Sequence, residues 1–367
     1  MISNYVLQNN LNSSILNKLK DISFKKEPLY IDNNIPNNFK SILELTPINN
    51  NPVIPVLDTK YIFNIDSSNF LKNLLIKVVF TTPAGMADLE FNSYRFFKDI
   101  TLYQNYKPIF TNNPGYIKSR ILDSGVDKQT YFESLNNISI VEDTEYTVYI
   151  PLFSYFFDYM ENNILLDYSK NLELHLTYNE ELPFTPISIF PSLFMYKTCY
   201  EQDLVNSYIN KLSKSPTNYL MYDTYLKKVL LPDTSTTKTI EITSKKLIQS
   251  IYLTIINEDD FSSPSINHIT LQCGDKIVLT NINQKIVQYD NINFLPHDNN
   301  EGSFSYHFDD KMRKGHSGSL DISQPTFITI SYDAIVGDNV NLYINLEFLN
   351  VITLDNINGK FNTLLLH

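Results

Sequence analysis

Ile100-Thr101-Leu102-Tyr103-Gln104-Asn105-Tyr106-Lys107-Pro108-Ile109-Phe110-Thr111 returns, changed but legible, as Ile269-Thr270-Leu271-Gln272-Cys273-Gly274-Asp275-Lys276-Ile277-Val278-Leu279-Thr280. Ile-Thr-Leu, the lysine and the closing threonine each recur 169 positions on (100 to 269, 107 to 276, 111 to 280). A second pattern, Asn171-Leu172-x-Leu174-x-Leu176-x-Tyr178, is matched by Asn341-Leu342-x-Ile344-x-Leu346-x-Phe348, 170 positions on (171 to 341). Two copies at so long a period mean a duplicated domain and not a solenoid.

The residues around these patterns read as strands. Tyr61, Phe63 and Ile65 alternate with polar neighbours, as do Ile328, Ile330 and Tyr332. Alternation with period two marks a strand with one face buried. Pro and Asn clusters punctuate the runs, and long helical periodicity is absent beyond residue 50, apart from short turns expected near 117–122 and 204–212. The 25 Tyr and 23 Phe suit pleated surfaces, and 43% hydrophobic residues suffice for real cores. The expected fold is all-β: two tandem eight-stranded jelly-roll β-sandwiches, a double jelly roll, with a short N-terminal helical arm. The expected division is an arm over 1–55, a first roll over 56–205, a linker over 206–224, a second roll over 225–355 and a tail over 356–367. In the arm, Leu11, Ile15, Leu19 and Ile22 share one helical face, with Ser13 or Ser14 as cap.

Several functions lack their chemistry. Neither a phosphate-cradling GxxxxGK[ST] nor a GxGxxG occurs, and glycine is scarce, at 9. Gly315-His316-Ser317-Gly318-Ser319 misses the hydrolase elbow by its last residue. With net charge −11 and no basic stretch, direct nucleic-acid binding is not expected; Lys18, Lys20, Lys25, Lys26 and Lys40 are offset by Asp21, Glu27 and Asp32. Cys199 and Cys273 have no metal spacing and read as reduced, buried thiols. The first ten residues do not read as a signal peptide, and no apolar run is long enough to span a bilayer. His297, His307, Asp309 and His316 form the best metal candidate, since His307 and Asp309 would share one strand face. The bland reading is a solvated loop and strand end, and no cofactor is expected. Tyr155 to Phe157 and Tyr219 to Tyr225 are candidate stacking surfaces. Asn112 to Glu145 reads as a long loop whose Tyr116, Tyr131 and Phe132 are candidate oligomer contacts.

Tyr149-Ile150-Pro151-Leu152-Phe153, then Leu165-Leu166 and the 172–178 strand, resemble the Pro-Leu-aromatic region of one family. So do Ser303-Phe304-Ser305-Tyr306-His307-Phe308, Ser317-Gly318-Ser319-Leu320-Asp321-Ile322-Ser323 and the closing Leu346 to Ile352 strand followed by Gly359 and Phe361. The family is the double jelly-roll major capsid proteins of tailless icosahedral DNA viruses, the adenovirus and PRD1-like lineage with the nucleocytoplasmic large DNA viruses. Asp321, Ile322 and Gln324 stand where the large-virus pattern has Asn, Phe and Arg. The resemblance implies a structural, non-enzymatic subunit whose pseudo-hexagonal homotrimers tile a virion shell, made in the host cytoplasm. It also implies contacts with neighbouring trimers, penton and minor capsid proteins, and an internal membrane that the amphipathic arm would face. The alternatives are a minor capsid or assembly-scaffold protein of the same fold, or a non-viral tandem β-sandwich carbohydrate-binding module.

Overall fold

The structure is a computed structural model. It describes residues 39–48, 59–65, 70–154 apart from 105 and 125, 164–165, 172–199, 201, 203, 206, 217–244 apart from 233, 247–258, 264–290, 302–308, 319–357 apart from 336 and 338, and 360–365. The arm expected to be helical, residues 309–318 and the aromatic run 155–157 lie outside the described residues.

The first half of the chain supplies β1 (Phe39–Leu45), β2 (Lys60–Ile65), β3 (Phe70–Thr81), β4 (Leu89–Asn92), β5 (Phe97–Gln104), β6 (Lys107–Asn112), β7 (Asn137–Ile140), β8 (Glu145–Pro151), β9 (Ile164–Leu165), β10 (Leu172–Tyr178) and β11 (Ser188–Cys199). One sheet runs β1-β11-β3-β8 and the other β2-β10-β5-β6, all antiparallel; β9 adds to β3, and β4 pairs with β7 apart from both. The chain thus crosses repeatedly between two packed sheets, the jelly-roll path. Their inner faces meet in one core. Leu74, Ile76, Val78 and Phe80 of β3 face Leu172, Leu174 and Leu176 of β10, and Phe80, Phe91, Phe96 and Phe184 stack at one end.

The second half repeats the plan with β12 (Thr217–Leu230), β13 (Thr237–Ile242), β14 (Leu247–Asn257), β15 (Ile266–Cys273), β16 (Lys276–Ile282), β17 (Ser303–His307), β18 (Leu320–Asp321), β19 (Thr326–Tyr332), β20 (Val340–Ile357) and β21 (Lys360–Leu365). Its sheets run β12-β20-β14-β17 and β13-β19-β15-β16, around a core that includes Ile251, Leu253, Ile328, Ile330, Leu342 and Ile344. This is the double jelly roll expected from the sequence.

The duplication holds for one of the two sequence repeats and fails for the other. Hairpin β5–β6 and hairpin β15–β16 occupy the same place in each roll. They even shift register at corresponding points, between Leu102 and Tyr103 and between Leu271 and Gln272. Beyond Thr280 the spacing becomes 170, because the second hairpin carries one more residue. Asn281 takes it up in a left-handed conformation (φ 50°), its N–H donating to Thr270 Oγ1 at 3.1 Å. The 171–178 pattern, by contrast, is not the counterpart of 341–348. Strand β10 lies between β2 and β5, and its equivalent between β13 and β15 is β19, so Leu174 opposite Leu102 corresponds to Ile328 opposite Leu271. Strand β20 is instead the counterpart of β11. Alternation is common to every half-buried strand and cannot tell one from the next.

Three strands fall in stretches expected to lie outside the rolls: β1 in the arm, the start of β12 in the linker and β21 in the tail. Each completes a ladder, with β11, β20 and β20 respectively, which satisfies backbone groups that would otherwise be an open edge. The stretch 112–145, expected as a loop, holds helices α1 (Pro114–Leu122) and α2 (Val126–Asn136). A third helix, α3 (Gln284–Asp290), follows β16.

Candidate functional site

Helix α1 begins where Asn113, extended and followed by Pro114, caps it: Asn113 Oδ1 accepts from Tyr116 N at 2.7 Å. The helix belongs to the first roll by sequence but lies on the outer face of the second roll's β12-β20-β14-β17 sheet. Gly115 makes the approach. A Cβ there would fall 2.3 Å from Tyr343 Cβ and 2.5 Å from its Cγ, so only glycine lets the backbone come so close. Every residue of β14 is consequently buried, one face in its own core and the other under the helix.

The joint so formed is polar and buried. Tyr116 Oη donates to Glu347 Oε1 at 2.6 Å, and Arg120 Nη1 donates to the same oxygen at 3.1 Å and to Tyr252 Oη at 2.7 Å. The Arg120 guanidinium also sits 5.5 Å from the Tyr252 ring and 5.8 Å from that of Phe153. Asn113 Nδ2 donates to Asn345 Oδ1 at 3.0 Å, and Ser119, Thr254 and Ser303 share a hydroxyl cluster. Alongside, Arg95, on the turn before β5, pairs with Glu258, whose other oxygen accepts from Tyr343 Oη at 2.6 Å. Burial, and next the charge of Glu258, push the Tyr343 hydroxyl far above its ordinary range. Both cations thus come from the first roll and both carboxylates from the second. Such pairs contribute little net stability, but removing one partner leaves a buried charge behind, so they fix geometry more than they add strength.

The sequence-derived candidates divide. Tyr116, expected as an oligomer contact, is spent inside the chain, because α1 turns it onto Glu347 and Tyr252. Phe132 packs its ring on Phe153 at 5.4 Å against the first core, while Tyr131 on the next helical position is 59% exposed. His307 faces the joint. Its Nε2 lies 3.1 Å from Asp123 Oδ1 and its Nδ1 3.0 Å from Ser250 Oγ, so both ring nitrogens serve the joint. His297, Asp309 and His316 lie outside the described residues, and among the described residues no three His, Cys, Asp or Glu side chains gather as a metal would need. Tyr225 packs with Phe348 at 6.1 Å against the second core. Cys199 is buried, as expected, whereas Cys273 is only partly so; both are free. No helix among the described residues is long and apolar enough to cross a membrane. Sequence reading missed Arg95, Arg120, Glu258 and Glu347. The signal available was Glu347, a lone charge inside the apolar Leu342 to Phe348 alternation.

On the first roll's β1-β11-β3-β8 sheet, strand register places Phe190 beside Val79, Phe194 beside Leu75 and Tyr149 beside Lys77 on the outer side. Glu44 lies there too, its carboxyl held below the usual range by the Ser192 hydroxyl and, less strongly, by Lys77.

No protein-family profile matches the chain, and no curated protein matches it in sequence. Solved structures do match. VP54 of the virus PBCV-1, fitted into a reconstruction of the virophage Sputnik, superposes with a TM-score of 0.72 at 11% identity, covering 91% of this chain and 98% of that one. The Faustovirus major capsid protein gives 0.63 at 9% identity over 86% and 90%. The major capsid protein of Sulfolobus Turreted Icosahedral Virus gives 0.53 at 12% identity over 85% and 96%. At such identities the likeness is one of fold: the chain is built, over most of its length, on the double jelly roll of these viral major capsid proteins.

Proposed function

We propose that this chain is a structural major capsid protein, not an enzyme, whose pseudo-hexagonal homotrimers tile an icosahedral virion shell. The observation that carries the reading is the buried joint: it locks two jelly rolls into one double unit, so a trimer presents six similar corners to its neighbours. The match in fold between 91% of this chain and 98% of the PBCV-1 VP54 chain supports it. In this reading the partners are copies of the chain, penton and minor capsid proteins, and an internal membrane met by residues 1–27. The acidic net charge argues against a direct grip on nucleic acid.

The test is the solution mass of the purified chain by light scattering, followed by electron microscopy of assembly mixtures. A particle of three times 42.6 kDa that builds shells is expected. A monomer that joins shells only alongside another protein would make it a minor or scaffold component. A monomer that binds glycans would make it a carbohydrate-binding module. Deleting residues 1–27 should leave trimers intact and impair shells.

A further inference from the structure

We propose that one end of the first roll, with Tyr106 at its tip and Lys40, Lys72, Lys107 and Lys197 around it, docks on a lipid bilayer surface rich in anionic headgroups. The inference rests on the membrane reading of residues 1–27 and adds a second contact, on the folded body. Strand register defines the end. Phe39 pairs with Cys199 and Phe70 with Thr198, so β1, β3 and β11 meet there. In the other sheet Gln104 pairs with Leu172 and Leu172 with Ile65, and residues 66–69 join Ile65 to Phe70. The β5–β6 turn and the first residue of β1 therefore share this end, and residues 1–38 join the roll beside Tyr106.

Charge separates along the roll. Lys197 pairs with Ser41 on one side and Leu71 on the other, which sets it between Lys40 and Lys72. Burial, and next the charge of Lys40, hold the Lys72 amine below its usual range, so these amines are near enough to repel. Lys40, Lys72, Lys107 and Lys197 have no ion-pair partner among the described residues. The described carboxylates at this end are Glu173, which pairs with His175, and Glu201 and Asp203 just beyond β11. At the opposite end Asp88, Glu90, Glu142, Asp143 and Glu145 gather about β4 and the β7–β8 turn, against Lys60 and Lys98. The overall charge of −11 thus conceals a cationic end.

Tyr106 is an independent observation. It is 82% exposed and left-handed, with φ 62°, a conformation that bulky side chains rarely adopt. The matching turn of the second roll puts Gly274 in that conformation (φ 57°) and closes it with Gly274 N donating to Pro325 O at 2.8 Å. The Tyr106 side chain has no hydrogen bond or ring contact among the described residues. An aromatic held out in a strained turn, with nothing of its own chain to offset the strain, points to an outside partner. Tyrosine beside lysines suits the headgroup layer, where the ring sits at the boundary and the amines lie among the phosphates. Nucleic acid would use the lysines alone. A bilayer also uses the apolar face expected of the arm, Leu11, Ile15, Leu19 and Ile22, which joins the roll at this same end.

Flotation of the full-length chain with vesicles decides. The parent should float with vesicles of phosphatidylcholine and phosphatidylserine in equal parts, less so as salt is added, and not with phosphatidylcholine alone. Lys72→Gln with Lys197→Gln should weaken that binding roughly tenfold or more, since each lysine near such a surface contributes about fivefold. Tyr106→Gly should weaken it too, while melting at the parent's temperature or above, because glycine takes the turn without strain. Parent-like binding by both variants would overturn the inference and leave membrane contact to residues 1–27 alone. A parent that floats with neither vesicle would overturn it together with the membrane reading. A parent that prefers duplex DNA to the vesicles would overturn it in favour of nucleic acid.

Discussion

Gly115→Ala is a substitution for which ordinary helix propensity and the joint give opposite signs. In an open helix the added methyl would stabilise by up to about 1 kcal/mol. Here it would meet Tyr343 Cβ at 2.3 Å, and these atoms cannot swing away because they are the stem of a side chain anchored by Glu258. Restoring ordinary contact, at 3.4 Å or beyond, requires α1 to rise by about 1 Å. That displacement takes Tyr116 Oη from 2.6 Å to beyond hydrogen-bonding range of Glu347, and Arg120, already at 3.1 Å, with it. Hydrogen bonds to a buried charge are worth about 1.5–3 kcal/mol each, and overpacking alone costs about 1–3 kcal/mol. With both bonds lost and the overpacking added, and the propensity gain set against them, the net loss is about 3–8 kcal/mol. Guanidinium unfolding followed by far-ultraviolet dichroism and tyrosine fluorescence would read it; the chain has no tryptophan to obscure the latter. A Gly115→Ala chain as stable as the parent, or more so, would refute the close approach and with it the described joint.

Three further outcomes are expected. Glu347→Ala, which strands the Arg120 charge, should cost about 3–5 kcal/mol in the same unfolding assay, and Arg120→Met with Glu347→Leu should recover most of that loss. Stability should fall as pH rises past about 10, because the unfolded chain then releases the Tyr343 proton that the folded chain retains; unfolding at pH 9 and at roughly pH 11 should show a smaller difference in Tyr343→Phe. His307→Asn should lower the melting temperature in chelator-treated buffer, since the imidazole bridges Asp123 and Ser250; a loss seen only once zinc is supplied would restore the metal reading.

What the sequence discloses here follows what each residue faces. Strands β2 and β10 meet solvent on one side, so Tyr61, Phe63 and Ile65, or Leu172, Leu174 and Leu176, alternate with polar residues and announce themselves. The β5–β6 hairpin shares its bulge with β15–β16 and is found by direct matching. The same alternation misleads when strands are compared with one another, and so β10 matches β20 as well as it matches its true counterpart β19. Helix α1 shows in the sequence only as a short turn over 117–122, because it is buried on several sides: Tyr116, Ile117 and Ile121 are interspersed with equally buried Ser119 and Arg120, and no apolar stripe emerges. The joint is harder still, since arginine and glutamate far apart in sequence look like ordinary surface until the fold brings 120 to 347 and 95 to 258.

Gly115 also acts as a gatekeeper. In a cell making many copies, sheets of the second roll that are not yet covered would encounter helices of both kinds, α1 and α3. The space above Tyr343 is too shallow for even a methyl group, and α3 brings Lys285 to that position. The sheet therefore accepts one helix and refuses the other on size alone, before any charge is matched. Two second rolls could not pair through that face in the way that α1 seats on it.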